Sequence, residues 1–358
     1  MNETMLFVDD DPNLLQGLQR MLRSKRHEWD MTFVSSPLLA LKEMERRCFD
    51  VVVTDMRMPE MDGAELLSKV KVICSKSVRI ILSGQADVDI IMRAITSTHQ
   101  YLSKPCDPEL LKATIEKASR LRRLMKNEEL EEFISQLKCL PAQPENLAIL
   151  KDELTKDNPS IQQIGMAIAG DIGLSTKVIQ LTSSSFFGSK RETVSAKEAV
   201  GILGVELLRT LCLEHNVFTE SVTGSIGALD LRMLHKRGQC VIDRAQSLAV
   251  DAKIENLSCD ISSAIGLMCR AGCIVLSLFS PEKYAEVVKL GIESKESIKK
   301  ELELFGVSHA DVGAYLLGLW GLPDPVIEAA QRHHELNGDN WAENSLLGCI
   351  QKAESEIQ

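Results

Sequence analysis

The chain has 358 residues, more than one hydrophobic core usually holds, so we expect two or three domains. Its hydrophobic content of 44% and charged content of 26% are ordinary for a globular protein, and no apolar run reaches the roughly 18 residues that a bilayer-spanning helix needs. The N-terminus is polar and runs directly into a predicted strand, which leaves no room for a signal peptide. We therefore expect a cytoplasmic protein without a membrane partner.

The net charge of −10 is unevenly distributed along the chain. Residues 1–120 are almost neutral, with 17 basic and 18 acidic residues, whereas residues 121–358 hold 24 basic and 33 acidic residues. Binding of nucleic acid depends on a basic surface, and the sequence has no helix-turn-helix or zinc-finger pattern. The acidic C-terminal part therefore argues against DNA as a partner.

Ten cysteines are scattered through apolar segments, and no two of them form a CxxC pair. Disulfide frameworks are typical of short secreted chains, whereas a buried free cysteine behaves as a small hydrophobic residue. We therefore expect reduced, buried thiols.

Short apolar strands and amphipathic helices alternate over residues 1–120, a pattern typical of a parallel sheet with helices on both faces. Proline follows a capping residue at three predicted helix starts, Asp11-Pro12, Ser36-Pro37 and Asp107-Pro108, and proline is favoured at the first helical position. The pattern predicts helices over residues 12–25, 37–47, 63–73, 87–97 and from 108 onward.

Polar or charged side chains directly follow four of the predicted strands. In chain order they are Asp9 and Asp10, then Asp55, then Ser83, and finally Lys104. The strand before Asp55 is the β-branched run Val51–Thr54, which is typical of a buried parallel strand. Because ligands of open α/β sheets bind beyond the carboxyl ends of the strands, we expect these side chains to converge.

The chemistry of these side chains indicates phosphoryl transfer. Three carboxylates at one sheet edge repel one another unless a cation lies among them, and Mg²⁺ prefers a few carboxylates together with water and a phosphate oxygen. A lysine and a hydroxyl beside them supply the positive charge and the hydrogen bond that a phosphoryl group needs. A carboxylate can also act as a nucleophile and carry an aspartyl-phosphate.

Taken in order, these segments resemble the receiver domain of bacterial two-component response regulators over residues 1–120. The matching segments are Val8-Asp9-Asp10, Asp55 with Met58-Pro59 and Asp62-Gly63, Leu82-Ser83-Gly84, and Lys104-Pro105. The resemblance implies a flavodoxin-like fold, that is, a doubly wound α/β fold with a parallel five-stranded sheet. It also implies a cognate sensor histidine kinase as a partner.

The resemblance further implies a role for each matching residue. Asp55 would be the phosphoacceptor. The Mg²⁺ ligands would be Asp9, Asp10, Asp55 and the backbone carbonyl of Arg57. Ser83 and Lys104 would bind the phosphoryl oxygens, and Tyr101 would be the aromatic switch residue.

Residues 110–137 contain no glycine or proline, and apolar residues recur there at steps of three or four. We therefore expect the last receiver helix to continue through a linker helix over residues 121–139. The heptad pattern is short and broken near Asn127, so the segment is compatible both with a plain connector and with a coiled coil that makes a homodimer.

The region from residue 140 to residue 358 is predicted to be all-α. Pro141 and Pro144 end the linker, and Ser195 with Glu198 forms a capping box before an apolar helix. No segment after Pro144 shows the sustained alternation that a half-buried strand requires.

The most informative stretch of this region is residues 308–335. It predicts a helix capped by Ser308, a tight turn at Trp320-Gly321-Leu322-Pro323, and a second helix with proline at its first position. The stretch resembles the HDOD domain, the HD-related output domain, and residues 140–147 and 171–181 resemble its earlier parts. The resemblance implies an output domain that binds a partner protein or a nucleotide.

Hydrolytic relatives of this domain, the HD and HD-GYP phosphodiesterases, use a His-Asp pair with further ligands around one or two metal ions. Where that pair should stand, this sequence has Cys269-Arg270, whose guanidinium would repel a metal ion. His333 and His334 are similar to the start of the HD-GYP loop, but no Tyr-Pro follows, and we expect His334 to be a packed, hydrogen-bonded residue. His309 lies in the first turn of its predicted helix and His235 is isolated in sequence, and neither completes a ligand set on its own.

Two hypotheses of different classes follow. The first is a response regulator with Mg²⁺ in the receiver domain and a non-catalytic HDOD output domain that holds no cofactor. The alternative is a response regulator with an HD-type metal-dependent phosphohydrolase output, such as a cyclic-dinucleotide phosphodiesterase. Cys269-Arg270 favours the first hypothesis, and a bound transition metal would favour the second.

Overall fold

The computed structural model describes residues 2–84, 93–95, 97–183, 195–219, 224–251, 265–335 and 345–357. These residues form an N-terminal part, a sheet with flanking helices that ends at residue 122, and a C-terminal part made mostly of helices. Most of the helix predicted at residues 87–97 lies outside the described residues.

The N-terminal part is built on a parallel five-stranded sheet of order β2-β1-β3-β4-β5. Its strands are β1 (Glu3–Val8), β2 (Trp29–Val34), β3 (Val51–Asp55), β4 (Val78–Ser83) and β5 (Gln100–Ser103). Its helices are α1 (Pro12–Met21), α2 (Pro37–Arg46), α3 (Gly63–Ile73) and α4 (Pro108–Arg122). Side chains alternate between the two faces of a sheet, and each face packs into its own hydrophobic core. Leu6 belongs to one of these cores and the next residue, Phe7, belongs to the other. The predicted doubly wound fold is confirmed.

Capping side chains fix the helix starts that follow β1 and β3. An Asp11 carboxylate oxygen accepts a hydrogen bond from Asn13 N (2.8 Å), and an Asp62 carboxylate oxygen accepts one from Glu65 N (2.8 Å). Such a cap typically stabilises a helix by about 1 kcal/mol. The two loops that leave the carboxyl ends of β1 and β3 are therefore anchored at their far ends.

The predicted continuous helix between the two parts is wrong. Helix α4 ends at Arg122, and a separate helix, α5, spans Glu128–Gln136. Asn127 starts α5 because its side-chain oxygen accepts a hydrogen bond from Leu130 N (3.1 Å). Across the break Arg122 donates to Glu131 (2.5 Å), which ties the first turn of α5 back to the end of α4.

The C-terminal part is helical apart from a small antiparallel hairpin, β6 (Ser225–Ile226) and β7 (Leu229–Asp230), within the residues that the structure describes. Its α-helices are α6 (Pro144–Thr155), α7 (Ile161–Ala169), α8 (Ile172–Ser183), α9 (Ala196–Leu203), α10 (Val205–Arg209), α11 (Leu231–Asp251), α12 (Ala271–Phe279), α13 (Pro281–Val288), α14 (Lys295–Phe305), α15 (His309–Leu319), α16 (Asp324–Arg332) and α17 (Leu346–Glu356). The expectation of an all-α region is thus confirmed as a mostly helical one.

The predicted helix, turn and second helix are confirmed as α15 and α16, which form an antiparallel hairpin. Ser308 Oγ accepts a hydrogen bond from Asp311 N (3.2 Å) and starts α15. The rings of His309, at the start of α15, and His333, just after α16, lie 5.4 Å apart between centroids. The open end of the hairpin therefore carries histidines, and its closed end is the turn at residues 320–323.

The closed end of this hairpin packs against the N-terminal part. Gln100 Nε2 donates to the carbonyl oxygens of Gly318 (3.0 Å) and Leu319 (3.1 Å). Leu121 of α4 lies so close to Gly318 that a Cβ atom on the glycine would come within 1.9 Å of Leu121 Cδ1. The two parts are thus joined by a buried contact in addition to the connecting chain.

A disulfide joins Cys48 and Cys74, whose Cα atoms lie 5.5 Å apart. The expectation that all thiols are reduced is therefore wrong for this pair. Cys48 follows α2 and Cys74 ends α3, so the fold brings together two cysteines that are 26 residues apart in sequence.

None of the described helices combines the length and the apolar composition that a membrane-spanning segment requires. One pair of helices, α7 and α8, passes that test together by length and composition, with a bend of 111° between them. Residues Ile172 to Thr182 of α8 are all buried within the protein.

Candidate functional site

Asp55 is the last residue of β3, which lies in the middle of the sheet between β1 and β4. The following loop turns sharply, and Gly63 N donates to Met56 O (2.9 Å). A Cβ atom at Gly63 would lie 2.2 Å from Asp55 O, so only glycine allows this close approach. The Asp62-Gly63 pair of the sequence therefore folds the loop back against Asp55 and starts α3.

Asp9, Asp55 and Lys104 meet at the carboxyl ends of β1, β3 and β5. Lys104 Nζ donates to Asp9 Oδ2 (2.6 Å) and to Asp55 Oδ1. The other oxygen, Asp55 Oδ2, accepts a hydrogen bond from Arg57 N (2.7 Å). Asp9 is 3% exposed and Asp55 is 7% exposed. The structure thus brings together three of the site residues that the sequence predicts.

The electrostatics of this trio favour an additional cation. Burial raises the pKa of Asp55 above its usual value and the charge of Asp9 adds to the effect, although Lys104 opposes it. Burial acts against the ammonium of Lys104, but its bonds to the two carboxylates outweigh burial and raise the pKa of Lys104. Two carboxylates share one ammonium, so negative charge is in excess. These oxygen donors therefore fit Mg²⁺.

Two further predicted Mg²⁺ ligands lie beside the trio. Asp10 is exposed and directly follows the buried Asp9 at the end of β1. Arg57 has an exposed side chain, and its backbone lies against the Asp55 carboxylate. The Asp10 carboxylate and the Arg57 carbonyl group therefore stay predicted ligands.

Ser83 and Tyr101 lie on the neighbouring strands. Ser83 ends β4 with 5% of its surface exposed, and its carbonyl oxygen accepts a hydrogen bond from Lys104 N (2.7 Å). Tyr101 is 6% exposed and belongs to the core cluster that contains Leu67 of α3. The ring of this predicted switch residue is therefore already buried in the structure.

The structure groups three histidines that sequence reasoning treated separately. Ligand atoms of His309, His333, His334 and Glu293 all lie within 4.8 Å of one another. We call these four residues the histidine cluster. His333 is fully buried, whereas His334 is half-buried and turns Nε2 toward His309 Nε2 (3.1 Å). The expectation of a packed, hydrogen-bonded His334 is confirmed, and its partners are other imidazoles.

Glu293 is the member of the histidine cluster that the sequence did not reveal. It lies in the turn between α13 and α14 with a φ of 63°, and it is 1% exposed. Its neighbours, Ile292 and Ser294, form no recognisable ligand motif with it. Long-range packing of the turn against α15 and α16, rather than local spacing, brings this carboxylate to the histidines.

Arg270 lies next to the histidine cluster and is fully buried. Its Nη2 donates to Glu354 and lies 3.2 Å from Glu293 Oε2. A buried charge needs such partners, and here two carboxylates compensate one guanidinium. The sequence argument that Arg270 repels a cation is incomplete, because it did not include these carboxylates.

His235 is a structural residue of the helical part. Its Nε2 accepts a hydrogen bond from Ile172 N (2.9 Å), and its Nδ1 donates to Leu231 O (2.7 Å). Both ring nitrogens are therefore occupied by backbone groups that start α8 and α11.

Two family models match the chain, the HDOD domain over residues 140–336 and the response regulator receiver domain over residues 5–116. The transcriptional regulatory protein ZraR of Escherichia coli O157:H7 is 35% identical over 118 residues, which are 33% of this chain and 26% of that protein. The two-component response regulator ORR21 of Oryza sativa subsp. japonica is 38% identical over 109 residues, which are 30% of this chain and 16% of that protein. The similarity thus spans about a quarter or less of these relatives' own length.

A solved structure is similar over more of the chain. The crystal structure of the MmoQ response regulator from Methylococcus capsulatus superposes with a TM-score of 0.51 and 18% identity, covering 61% of this chain and 85% of that one. At this identity the likeness supports the fold alone.

Proposed function

Because the chain belongs to the HDOD domain family and carries a response regulator receiver domain before it, we propose that it accepts a phosphoryl group on Asp55 from a cognate sensor histidine kinase. The observation that carries the proposal is the pair of bonds from Lys104 to Asp9 and Asp55. These bonds hold a buried carboxylate beside a positive charge at the carboxyl ends of three strands. This is the arrangement that a carboxylate nucleophile and its phosphoryl group need.

The transfer forms a bond between an Asp55 carboxylate oxygen and phosphorus and breaks the bond between phosphorus and the donor. Lys104, already bonded to Asp55, compensates the charge of the phosphoryl oxygens, and the Ser83 hydroxyl donates a hydrogen bond to one of them. Receiver domains are generally Mg²⁺-dependent, and the bound ion supplies further positive charge at the phosphoryl oxygens. The residues that would hold it are Asp9, Asp10, Asp55 and the Arg57 carbonyl.

The signal leaves the receiver domain through β5. Gln100 starts this strand and bonds to the α15–α16 hairpin at Gly318, whereas Lys104 follows the strand at the phosphorylation site. The two ends are separated by only about 13 Å of extended chain. A shift of Lys104 and Tyr101 on phosphorylation therefore displaces a strand whose other end is attached to the output domain.

The output domain acts by binding a partner protein or a nucleotide and does not itself hydrolyse a substrate. The position of the hydrolases' His-Asp pair holds Cys269-Arg270, and the guanidinium is fixed there by Glu354 and Glu293. A guanidinium has no lone pair to offer a metal ion, so this position lacks the acidic ligand that helps to hold the metal-bound water of these hydrolases. The acidic composition of residues 121–358 supports a partner other than DNA.

Incubation of the full chain with a small phosphodonor and Mg²⁺, followed by intact mass measurement, tests the phosphorylation site. We expect one phosphoryl group on the wild type and none on Asp55→Asn or without Mg²⁺. Asp62→Asn is the matched control, because Asp62 lies in the same loop and asparagine retains its capping bond to Glu65 N. A phosphoryl adduct that persists in Asp55→Asn would contradict the assignment.

The alternative output, a metal-dependent phosphohydrolase, is favoured by the histidine cluster, since imidazoles are metal ligands. Incubation of the chain with a cyclic dinucleotide and Zn²⁺ or Mn²⁺ separates the two outputs. We expect no turnover. Metal-dependent turnover that is lost in His333→Ala would establish the hydrolase and leave the assignment of Asp55 unaffected.

A further inference from the structure

We propose that the histidine cluster binds one transition-metal dication of the zinc class. His309 Nε2 lies 3.1 Å from His334 Nε2 and 3.9 Å from Glu293 Oε1. His333 Nε2 lies 3.8 Å from the same Glu293 oxygen. In a tetrahedral zinc site with bonds of about 2.0–2.2 Å, neighbouring ligand atoms are roughly 3.4 Å apart. Small side-chain movements therefore close the four atoms around an ion.

Hydrogen bonds fix the tautomers of two histidines in the cluster. His309 Nδ1 donates to Glu301 Oε2 (2.8 Å), and His333 Nδ1 donates to Ala330 O (2.9 Å). In the neutral form each imidazole carries one proton, so a ring that donates through Nδ1 presents the lone pair of Nε2 to the centre of the cluster. A carboxylate or a backbone carbonyl on the far nitrogen is the usual partner of a metal-binding histidine.

Two atoms of the cluster have no hydrogen-bond partner among the described residues, His333 Nε2 and Glu293 Oε1. Their side chains are at most 1% exposed, so they are shielded from bulk water. The 3.8 Å between the two atoms is too long for a hydrogen bond. Buried polar atoms without partners destabilise a fold, and a cation at the centre satisfies both.

The charges around the cluster also favour a cation. Three buried carboxylates face two arginines: Glu293, Glu301 and Glu354 against Arg237 and Arg270. Glu293 Oε2 lies 2.6 Å from Arg237 Nε and 3.2 Å from Arg270 Nη2, which leaves Oε1 turned toward the histidines. The carboxylates outnumber the arginines by one, which favours a cation at the cluster.

The ligand set distinguishes the class of metal and its role. His334 Nε2 faces His309 Nε2 at 3.1 Å and supplies the third imidazole nitrogen of the set. Nitrogen ligands favour zinc-class ions over Mg²⁺ and Ca²⁺. Four protein ligands fill a tetrahedral zinc ion and leave no position for a reactive water, as in structural zinc sites. The ion therefore stabilises the domain and does not activate water.

The ion would join the two ends of the α15–α16 hairpin to each other and to the turn before α14. His309 begins α15, His333 follows α16, and Glu293 adds the turn before α14. The closed end of the same hairpin carries the contact between Gly318 and Gln100. The bound ion thus holds in place the element through which the receiver domain contacts the output domain.

Metal content and a cobalt spectrum test the site in the untagged full chain. After removal of metal with a chelator and addition of Zn²⁺, we expect one equivalent to remain through gel filtration and the Tm to rise. With Co²⁺ we expect the visible absorption bands of tetrahedral nitrogen-rich coordination. Asp55→Asn should retain the zinc, which separates this site from the receiver domain and makes the test independent of phosphorylation.

Variants of the ligands complete the test. His334→Ala and Glu293→Gln should lose zinc and the cobalt bands, and Glu301→Gln should weaken affinity by about 10–100-fold, as loss of an outer hydrogen-bond partner does. His215→Ala, an exposed histidine in the same domain, is the control and should bind as the wild type. Should Glu293→Gln fail to fold, His334→Ala still tests the site, because His334 is only half-buried.

Absence of stoichiometric zinc in the folded wild type, or unchanged zinc binding in His334→Ala, would overturn the proposal. The histidines would then be held by protons and not by a metal ion.

Discussion

Gln100 and Gly318 belong to different domains, and a buried hydrogen bond of 3.0 Å joins the Gln100 side-chain amide to the Gly318 carbonyl oxygen. The same amide donates to Leu319 O (3.1 Å), so one side chain holds two carbonyl groups at the end of α15. Gly321, with a φ of 71°, passes so close that a Cβ atom there would lie 3.0 Å from Gln100 Cδ. The hairpin turn is therefore shaped around a side chain of the receiver domain.

Gln100→Ala should weaken the connection between the domains. It removes two hydrogen bonds, each with a net contribution of about 0.5–1.5 kcal/mol, so we expect the free energy of unfolding to fall by about 1–3 kcal/mol. Chemical denaturation measures the change. Gln19→Ala on the exposed face of α1 is the control and should have almost no effect. An equal loss in both variants would show that the contact contributes nothing specific.

Gly318→Ala should destabilise the protein, because the added methyl group forces α15 away from α4. The added Cβ would overlap Leu121 Cδ1 at 1.9 Å, and such overpacking typically costs about 1–3 kcal/mol. Adding Leu121→Ala should restore part of the stability lost through Gly318→Ala, so the double-mutant cycle should give a coupling energy of at least about 0.5 kcal/mol. Strict additivity of the two changes would contradict the packing described here.

Gly17→Ala is the matched control for that cycle. Gly17 lies within α1 and has nothing within 4 Å of an added Cβ atom. Alanine is favoured over glycine in helices, so we expect a gain of about 0.5–1 kcal/mol instead of a loss. Opposite signs for Gly17→Ala and Gly318→Ala would show that the clash, and not the helix propensity, decides the outcome.

Asp55→Asn should change the pH dependence of stability. Burial raises the pKa of Asp55 in the folded chain, so protonation of this carboxylate stabilises the folded state. This stabilisation is fully present below the pKa of the unfolded chain, about 3.9, and it is lost as the pH rises through the pKa of the folded chain. Asparagine does not titrate, so the variant should gain stability relative to the wild type between pH 4 and pH 7. Denaturation at the two pH values checks this, and a relative gain at pH 4 would contradict it.

Mg²⁺ should have the complementary effect at pH 7. The ion compensates the charge shared by Asp9 and Asp55, so it should raise the Tm of the wild type and raise that of Asp55→Asn much less. Thermal denaturation with and without Mg²⁺ provides the comparison. An equal rise in both proteins would place the ion elsewhere.

Asn127→Ala should destabilise the start of α5, because it removes the cap on Leu130 N, at a cost of about 0.5–2 kcal/mol. Asn127→Asp retains the capping oxygen but loses the amide that donates to Phe305 O (3.3 Å). The aspartate variant should therefore lose less stability than the alanine variant. Equal losses would assign the role of Asn127 to the Phe305 contact and not to the cap.

The receiver fold and its trio could be predicted because their signals are local. Each strand ends at the residue that carries the chemistry, and parallel strands bring such ends to one edge, so Asp9, Asp55 and Lys104 follow from pattern alone. The break before α5 could not be predicted, because Asn127 is a single capping residue within a stripe of apolar residues. A helix of favourable residues can end wherever a cap and an ion pair, here Arg122 with Glu131, outweigh continuation.

The histidine cluster shows the limit of local patterns. His309 and His333 are 24 residues apart and meet only because α15 and α16 pack as an antiparallel hairpin. Glu293 joins them from a turn with no motif, and Arg270 is compensated by Glu354 from the C-terminal helix. Sequence spacing shows which residues share a helix face, but not which distant carboxylate completes a buried ligand set.

Hydrogen exchange with mass spectrometry, on the full chain with and without beryllofluoride and Mg²⁺, tests the central claim most directly. Beryllofluoride bound to Asp55 mimics the phosphoryl group, so we predict altered exchange in β5 and in residues 316–323 of the hairpin turn. Asp55→Asn should show neither change, and Gln100→Ala should retain the change in β5 but lose it in the turn. Altered exchange confined to the loops around Asp55, with none in residues 316–323, would contradict transmission through Gln100.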